Sequence, residues 1–287
     1  MFDKELEAAA EAAREAGRTI LDYYGGNIIA QQKIGVDNFS EPVSIADKAA
    51  SRLIVASLRR AFPADHILSE EEPDDAAART QARRVWMIDP IDGTWGFIKQ
   101  DGDFAVQIGL VEDGEPVAGV VYVPTLDLLY SAVRGNGAYS SAAGGERTRL
   151  SVSDSTDPHA MSLAVSRNHR SPKINRIMKH FGFRREVQRG SVGVKVGLIA
   201  DRNCDVYIHL SPRTKFWDTC APQIILEEAG GKMTDLFGEP FRYGLADVQN
   251  HGGIVASNGV AHDEMIRRLR PLLNEFGRIR VTSRSAG

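Results

Sequence analysis

The feature that most restricts this chain is the passage from a short apolar run, Val85-Trp86-Met87-Ile88, directly into Asp89-Pro90-Ile91-Asp92-Gly93-Thr94. A brief apolar stretch closed by turn-forming residues reads as a buried strand. Both carboxylates then emerge where a strand ends, the place at which a sheet commonly opens into a site. Pro90 stiffens the turn between them. Two carboxylates and the Ile91 carbonyl within four residues make a hard-oxygen donor set, suited to magnesium, manganese or calcium and not to zinc. After Asp92, residues 93–98 can open a short helix whose free N–H groups face back toward the carboxylates, a place for a phosphate. Gly93 lets the backbone approach an anion, and Thr94 adds a hydroxyl. Taken alone the hexapeptide reads equally well as a turn, with Asp89 as a helix cap and Asp92 filling a type I turn.

The surrounding pattern supplies a scaffold for such a site. Leu6, Ala9, Ala10, Ala13, Gly17, Ile20 and Tyr24 recur at helical spacing and stop at Gly25-Gly26. A second helix should start after Ser44, with Asp47 in the capping-box position, and bury Ala50, Leu53, Ile54 and Leu58 before Pro63. Residues 104–111, 117–123 and 128–133 read as further strands, with turns at Asp113-Gly114 and Gly135-Asn136-Gly137, so an antiparallel sheet is expected. Beyond residue 150 the rhythm becomes α/β, with strands near 163–166, 206–210 and 253–257. Helices are expected near 173–181, 192–200, 218–229 and 262–276. The tail 282–287 reads as frayed. We expect two packed subdomains, 1–150 and 151–287, within one chain of 287 residues that is 43% apolar.

Charge excludes some functions. The 35 basic and 38 acidic residues are interspersed, for a formal net charge of -3, so no broad basic field exists for a nucleic-acid polymer or an anionic membrane. The amino terminus is charged from Asp3, and no apolar run approaches the roughly 20 residues that span a bilayer. A cytoplasmic location is expected, with Cys204 and Cys220 as free thiols.

Other acidic groups fall at the ends of expected elements. Glu70-Glu71-Glu72 follows Ile67-Leu68, and Asp218 follows Trp217 at a helix start. Each has an ordinary explanation: a solvated acidic loop for the glutamates, and favourable placement in a first helical turn for Asp47 and Asp218. Together with the Asp89–Asp92 pair they suggest one cluster.

In order and approximate spacing, Glu70-Glu71, Asp89-Pro90-Ile91-Asp92-Gly93-Thr94 and Trp217-Asp218-Thr219 resemble the signatures of the inositol monophosphatase-like, lithium-sensitive phosphatases. The resemblance covers nearly the whole chain. It implies an α/β fold layered as an αβαβα sandwich, with the site in the cleft between subdomains. It also implies two to three magnesium ions. Glu70, Asp89 and the Ile91 carbonyl would hold one, and Asp89, Asp92 and Asp218 a second. A third would sit near Glu70 and Asp47, with Glu71 an additional candidate. The implied mechanism has Thr94, hydrogen-bonded to Asp47, orienting and deprotonating the attacking water. That agrees with the independent chemistry, since phosphoryl transfer depends on positioning and charge neutralisation and needs no His or Cys nucleophile.

Several details resemble the 3'(2'),5'-bisphosphate nucleotidase branch of that family, which acts on 3'-phosphoadenosine 5'-phosphate. Leu68-Ser69-Glu70-Glu71 stands where inositol enzymes carry Gly-Glu-Glu, and Gly96 stands where they carry Asn. Ser166-Arg167-Asn168-His169 is similar to a Ser-Arg-Ser-His segment, and Gly190-Ser191 with Lys195 to a Gly-Ser-x-x-Lys stretch, with one extra residue before the lysine. Arg167, His169 and Lys195 are therefore candidates for a second anion site, alongside Gly93, Thr94, Gly190 and Ser191 as substrate contacts. Singly, each of the three cations also reads as an ordinary surface charge. The alternatives are an inositol, sugar or histidinol phosphate phosphatase, or a regulatory binding protein, in each case a monomer or homodimer.

Overall fold

Small residues decide how the first layer packs. Helix α1 (Asp3–Tyr23) buries Ala9, Ala12, Ala13, Ala16, Gly17 and Ile20 along one stripe. A β-hairpin, β1 (Ala30–Ile34) and β2 (Ser40–Ser44), leads to α2 (Ile45–Ala61). The capping box expected there is present: Ser44 and Asp47 exchange side-chain and backbone hydrogen bonds. The computed structural model describes residues 2–26, 30–34, 40–168 and 170–280.

Helices α1 and α2 cover one face of a seven-stranded sheet. Its strands lie side by side in chain order: β3 (His66–Ser69), β4 (Arg84–Asp92), β5 (Ala105–Glu112), β6 (Glu115–Val123), β7 (Leu128–Val133), β8 (Gly137–Ala142) and β9 (Thr148–Arg149). Only the β3–β4 pair is parallel. Short helices α3 (Ala76–Gln81) and α4 (Thr94–Ile98) flank β4. The turn at Asp113-Gly114 has positive φ at both residues, 52° and 82°, as expected for a tight hairpin.

A second, five-stranded sheet follows. Its elements run β10 (Ser162–Ser166), α5 (Lys173–Phe181), β11 (Arg185–Arg189), α6 (Val192–Ala200), β12 (Val206–His209), α7 (Phe216–Glu228), β13 (Lys232–Thr234), β14 (Ile254–Ser257) and α8 (His262–Glu275), with strand order β11-β10-β12-β14-β13. Helices α6 and α7 are sandwiched between the sheets, while α5 and α8 cover the outer face of the second. The layers are thus α, β, α, β, α. Cys204 and Cys220 are buried free thiols. No helix among the described residues is long and apolar enough to cross a membrane.

Two glycines set the depth of the middle layer. A Cβ on Gly109 of β5 would meet Cys220 Sγ at 2.5 Å, and one on Gly119 of β6 would meet Ala221 Cα at 2.9 Å. Without those side chains α7 lies directly on the first sheet, and its first turn reaches the end of β4.

Candidate active site

In a regular strand, residues three apart point to opposite faces, so Asp89 and Asp92 should diverge. They do not, because β4 departs from regular pairing between them. Asp89 lies opposite Gln107 and Asp92 opposite Ala105, three steps on one strand against two on the other. That extra residue is a β-bulge, which turns both carboxylates to one side. Pro90, which has no N–H for a ladder in this central strand, is accommodated within the bulge. The turn expected between the two aspartates is therefore still strand, and the chain leaves it only at Gly93, with φ 95°. A Cβ at Gly93 would lie 2.8 Å from the Asp103 carbonyl oxygen, so glycine is required for space as well as for φ.

Asp218 arrives from the other sheet's side. Helix α7 begins at Phe216, two residues before the start expected from sequence, which places Asp218 in its first turn. There its Oδ2 accepts the Lys215 N–H at 2.5 Å. The capping reading is thus correct, and it leaves the second oxygen for other work. Asp89, Asp92 and Asp218 each offer a carboxylate oxygen within 4.8 Å of the others.

The electrostatics of this cluster are unfavourable on their own. Burial pushes Asp89 well above the ordinary carboxylate range, and Glu70, Asp92 and Asp218 push it further. Asp218 is raised by burial, then by Asp92 and Glu70. Asp92 is raised by burial but restrained by Lys195 and by hydrogen bonds from the Ser191 hydroxyl at 2.5 Å and the Gly193 N–H at 2.8 Å. Asp89 Oδ1 is buried without a hydrogen-bond partner. Oxygen-only donors, mutual repulsion and an unpartnered buried carboxylate oxygen together fit a hard divalent cation.

These carboxylates line a cleft of about 780 Å³ that also exposes Glu70, the Ile91 carbonyl region, Gly93, Thr94, Gly190 and Lys195. The Thr94 hydroxyl donates to the Ile91 carbonyl oxygen at 3.2 Å. The Thr94–Asp47 hydrogen bond implied by resemblance is not made here; Asp47 Oδ2 instead accepts the Ser44 N–H at 2.7 Å and the Ser44 hydroxyl at 2.5 Å. Burial, opposed by those bonds and aided by Glu70 and Glu71, raises Asp47 to about 7. Glu70 and Glu71 are not a solvated loop: the Lys33 ammonium from the β1–β2 hairpin pairs with both, at 2.8 Å to Glu70.

The expected substrate contacts divide. Lys195 is 1% exposed, donates to the Gly190 carbonyl at 3.0 Å, and lies 4.9 Å from the Tyr207 ring centroid. Burial lowers it to about 8 against the opposing pull of Asp92, Asp103 and Asp218. Ser191 does not line the cleft; its fully buried hydroxyl caps α6 and holds Asp92. Arg167 also turns away, pairing with Asp101 at 3.1 Å and Asp103 at 3.4 Å. Asp103 also accepts the Gly190 N–H at 2.5 Å, which ties Arg167 to that loop. His169 lies outside the described residues.

The cleft's other cations, Arg170, Arg213 and Lys215, were not singled out from sequence. Lys215 stands three residues before Asp218 and Arg213 two before that, so the signal was a pair of cations leading into the Trp-Asp motif. Asp103 carried no such signal, and nor did Tyr207, whose buried hydroxyl faces the same cleft without a partner.

The model of the inositol monophosphatase family matches residues 2–273. The chain is 34% identical over 240 residues to the 3'(2'),5'-bisphosphate nucleotidase CysQ of Escherichia coli K12, covering 83% of this chain and 93% of that one. It is 35% identical over 231 residues to the histidinol-phosphatase of Mycobacterium tuberculosis, covering 79% and 84%. Among solved structures, the IMPase of Thermotoga maritima superposes with a TM-score of 0.80 at 26% identity, over 96% of this chain and all of that one. CysQ of Bacteroides thetaiotaomicron superposes with a TM-score of 0.74 at 33% identity, over 90% and 98%.

Proposed function

This chain belongs to the inositol monophosphatase family and is a phosphoric monoester hydrolase, and from that premise we propose that it is a magnesium-dependent 3'(2'),5'-bisphosphate nucleotidase. Its substrate would be 3'-phosphoadenosine 5'-phosphate, cleaved to AMP and phosphate. The observation that carries the metal assignment is the convergence of Asp89, Asp92 and Asp218 around the unpartnered Asp89 oxygen. Asp89, Asp92 and Asp218 would hold one magnesium, and Glu70, Asp89 and the Ile91 carbonyl another. Bound there, such a cation pair lowers the pKa of an attacking water and neutralises charge on the transferring phosphoryl group.

The chain's own residues do the remaining work. Thr94 orients the water from the metal side of the cleft. Asp47, whose carboxyl burial raises to about 7, would accept the proton. Ser191 and the Gly193 N–H hold Asp92 in its rotamer, so their part is positioning. Lys195 lies behind the aspartates and offsets part of their charge.

Support for the nucleotidase branch comes from the CysQ relatives and from the cleft's cations. Arg170, Arg213 and Lys215 line the same cleft as the carboxylates, which gives it a cationic side facing the metal cluster. The histidinol-phosphatase relative of comparable identity keeps a phosphorylated amino alcohol as the second reading. With magnesium, kcat/KM for 3'-phosphoadenosine 5'-phosphate should exceed that for inositol 1-phosphate or histidinol phosphate at least about tenfold, since one charge-assisted hydrogen bond contributes ~1.5–3 kcal/mol. A phosphate-release assay across the three esters measures it, and the reverse order would overturn the substrate assignment.

A further inference from the structure

A second cavity, of about 250 Å³, opens off the metal cleft. The two share Ser166, Arg170, His209 and Ser211 along their common border. They are therefore neighbouring compartments of one depression. The side cavity lies where β10 and β12 of the second sheet end. Its far wall comes from α5 and from the segment after α8, which contributes Arg278.

The charges in this cavity are unevenly balanced. Arg170 is neutralised by Glu186, with bonds of 2.7 and 2.5 Å. Arg278 has no carboxylate partner among the described residues: its one hydrogen bond goes to the His251 carbonyl oxygen at 3.3 Å, and its buried Nε has none. Lys173 likewise donates only to a carbonyl, that of Phe276, at 3.0 Å. Ile174, Ile208 and Leu210 complete the walls. Half-buried Arg278, with an unpartnered Nε, and exposed Lys173 at the rim, neither paired with a carboxylate among the described residues, make a site suited to an anion, because a guanidinium left with an open donor gains most from a charge-assisted bond where water is partly excluded. The guanidinium fork also suits the geometry of a phosphate. Burial, which lowers the Arg278 pKa, agrees with this.

We infer that the side cavity, anchored by Arg278 with Lys173, receives the second phosphate of a bisphosphorylated substrate whose first phosphate lies at the carboxylate cluster. This assignment rests on the bisphosphate reading given above. It makes Arg278 a specificity residue, contributed by a segment that carries none of the family's motifs and is distant in sequence from every other site residue.

The test compares 3'-phosphoadenosine 5'-phosphate with adenosine 3'-monophosphate, using the full chain with magnesium. In the wild type the ratio of their kcat/KM values should favour the bisphosphate. Arg278→Met should lower that ratio about tenfold or more, through KM, and Arg278→Lys should restore part of it. Inhibition by 5'-AMP relative to adenosine should weaken in parallel, a readout that a merely structural loss would not give. Melting curves for each variant identify any that fail to fold, and Lys173→Met then supplies the independent variant. If neither nucleotide is hydrolysed, the bisphosphate reading falls and takes the subsite with it. If both are hydrolysed but the ratio stays at its wild-type value in the Arg278 variants, the nucleotidase reading stands and the subsite is wrong.

Discussion

Asp92→Asn is expected to lower turnover by at least about a thousandfold, equivalent to ~4 kcal/mol of transition-state stabilisation, while leaving the divalent-free protein as stable as the wild type or more so. Both halves follow from the two roles of this side chain. One oxygen accepts from the Ser191 hydroxyl and the Gly193 N–H, and an asparagine carbonyl in the same rotamer keeps both bonds. The charge that repels Asp89 and Asp218 is removed; it also supports the buried Lys195 ammonium, but Asp103 and Asp218 still face that cation, so the balance favours the folded state without metal. The same charge is what would hold a cation beside the ester. Steady-state kinetics with magnesium, paired with melting curves in chelator, measure the two halves together. Near wild-type turnover in a folded variant would show the cluster to be structural.

The second large effect concerns pH. Asp89 and Asp218 are held well above their ordinary range, first by burial and then by neighbouring carboxylates, and Asp47 is raised to about 7. In the unfolded chain such groups titrate near 3.9. A carboxyl whose pKa is raised by folding stabilises the fold at pH below the unfolded value, and that contribution is lost as pH rises through the folded value. Without divalent cations Asp47 should therefore cost stability as pH rises from about 4 to about 7, and Asp89 and Asp218 add to that cost in the same direction. Each unit of displacement corresponds to ~1.4 kcal/mol, and each kcal/mol to about 2–4 °C in a chain of this size class. Magnesium, by favouring the ionised cluster, should reverse the loss. The gain in melting temperature on adding magnesium is thus expected to grow by on the order of 5–10 °C from pH 5 to pH 8. Calorimetry at several pH values, each with magnesium and with chelator, measures this, and a gain independent of pH would contradict it.

The residues differ in how far their sequence context foretold their place. Ser44 and Asp47 were legible because a capping box is a local device, closed within four residues. The Asp113-Gly114 turn and the α1 stripe were legible for the same reason. The hard-oxygen character of Asp89-Pro90-Ile91-Asp92 was legible as chemistry, and family resemblance supplied the expectation that Asp218 would join it. What could not be read was the means of convergence. The bulge appears only in the pairing of β4 with β5, where Asp89 faces Gln107 and Asp92 faces Ala105. The close seat of α7 depends on Gly109 and Gly119, whose importance is visible only once Cys220 and Ala221 lie above them.

Strand β11 escaped notice because Arg-Glu-Val-Gln-Arg, at the sheet's edge, has no buried face to impose alternation. Arg167 was a reasonable anion ligand by type, and it is diverted by Asp101 and Asp103, whose proximity is tertiary. Arg278 was invisible for the opposite reason, since nothing in its local sequence marks it and only the docking of the segment after α8 brings it to the cavity.

Carboxylates from the bulged end of β4 and the first turn of α7 are placed to enclose divalent cations. Manganese, a hard cation that shares magnesium's oxygen preference, gives an anomalous X-ray signal, so crystals soaked in it test the claim directly. An anomalous peak is expected in contact with Asp89, Asp92 and Asp218, and it should disappear in Asp92→Asn. Manganese found only elsewhere on the protein, with that cluster empty at saturating metal, would contradict it.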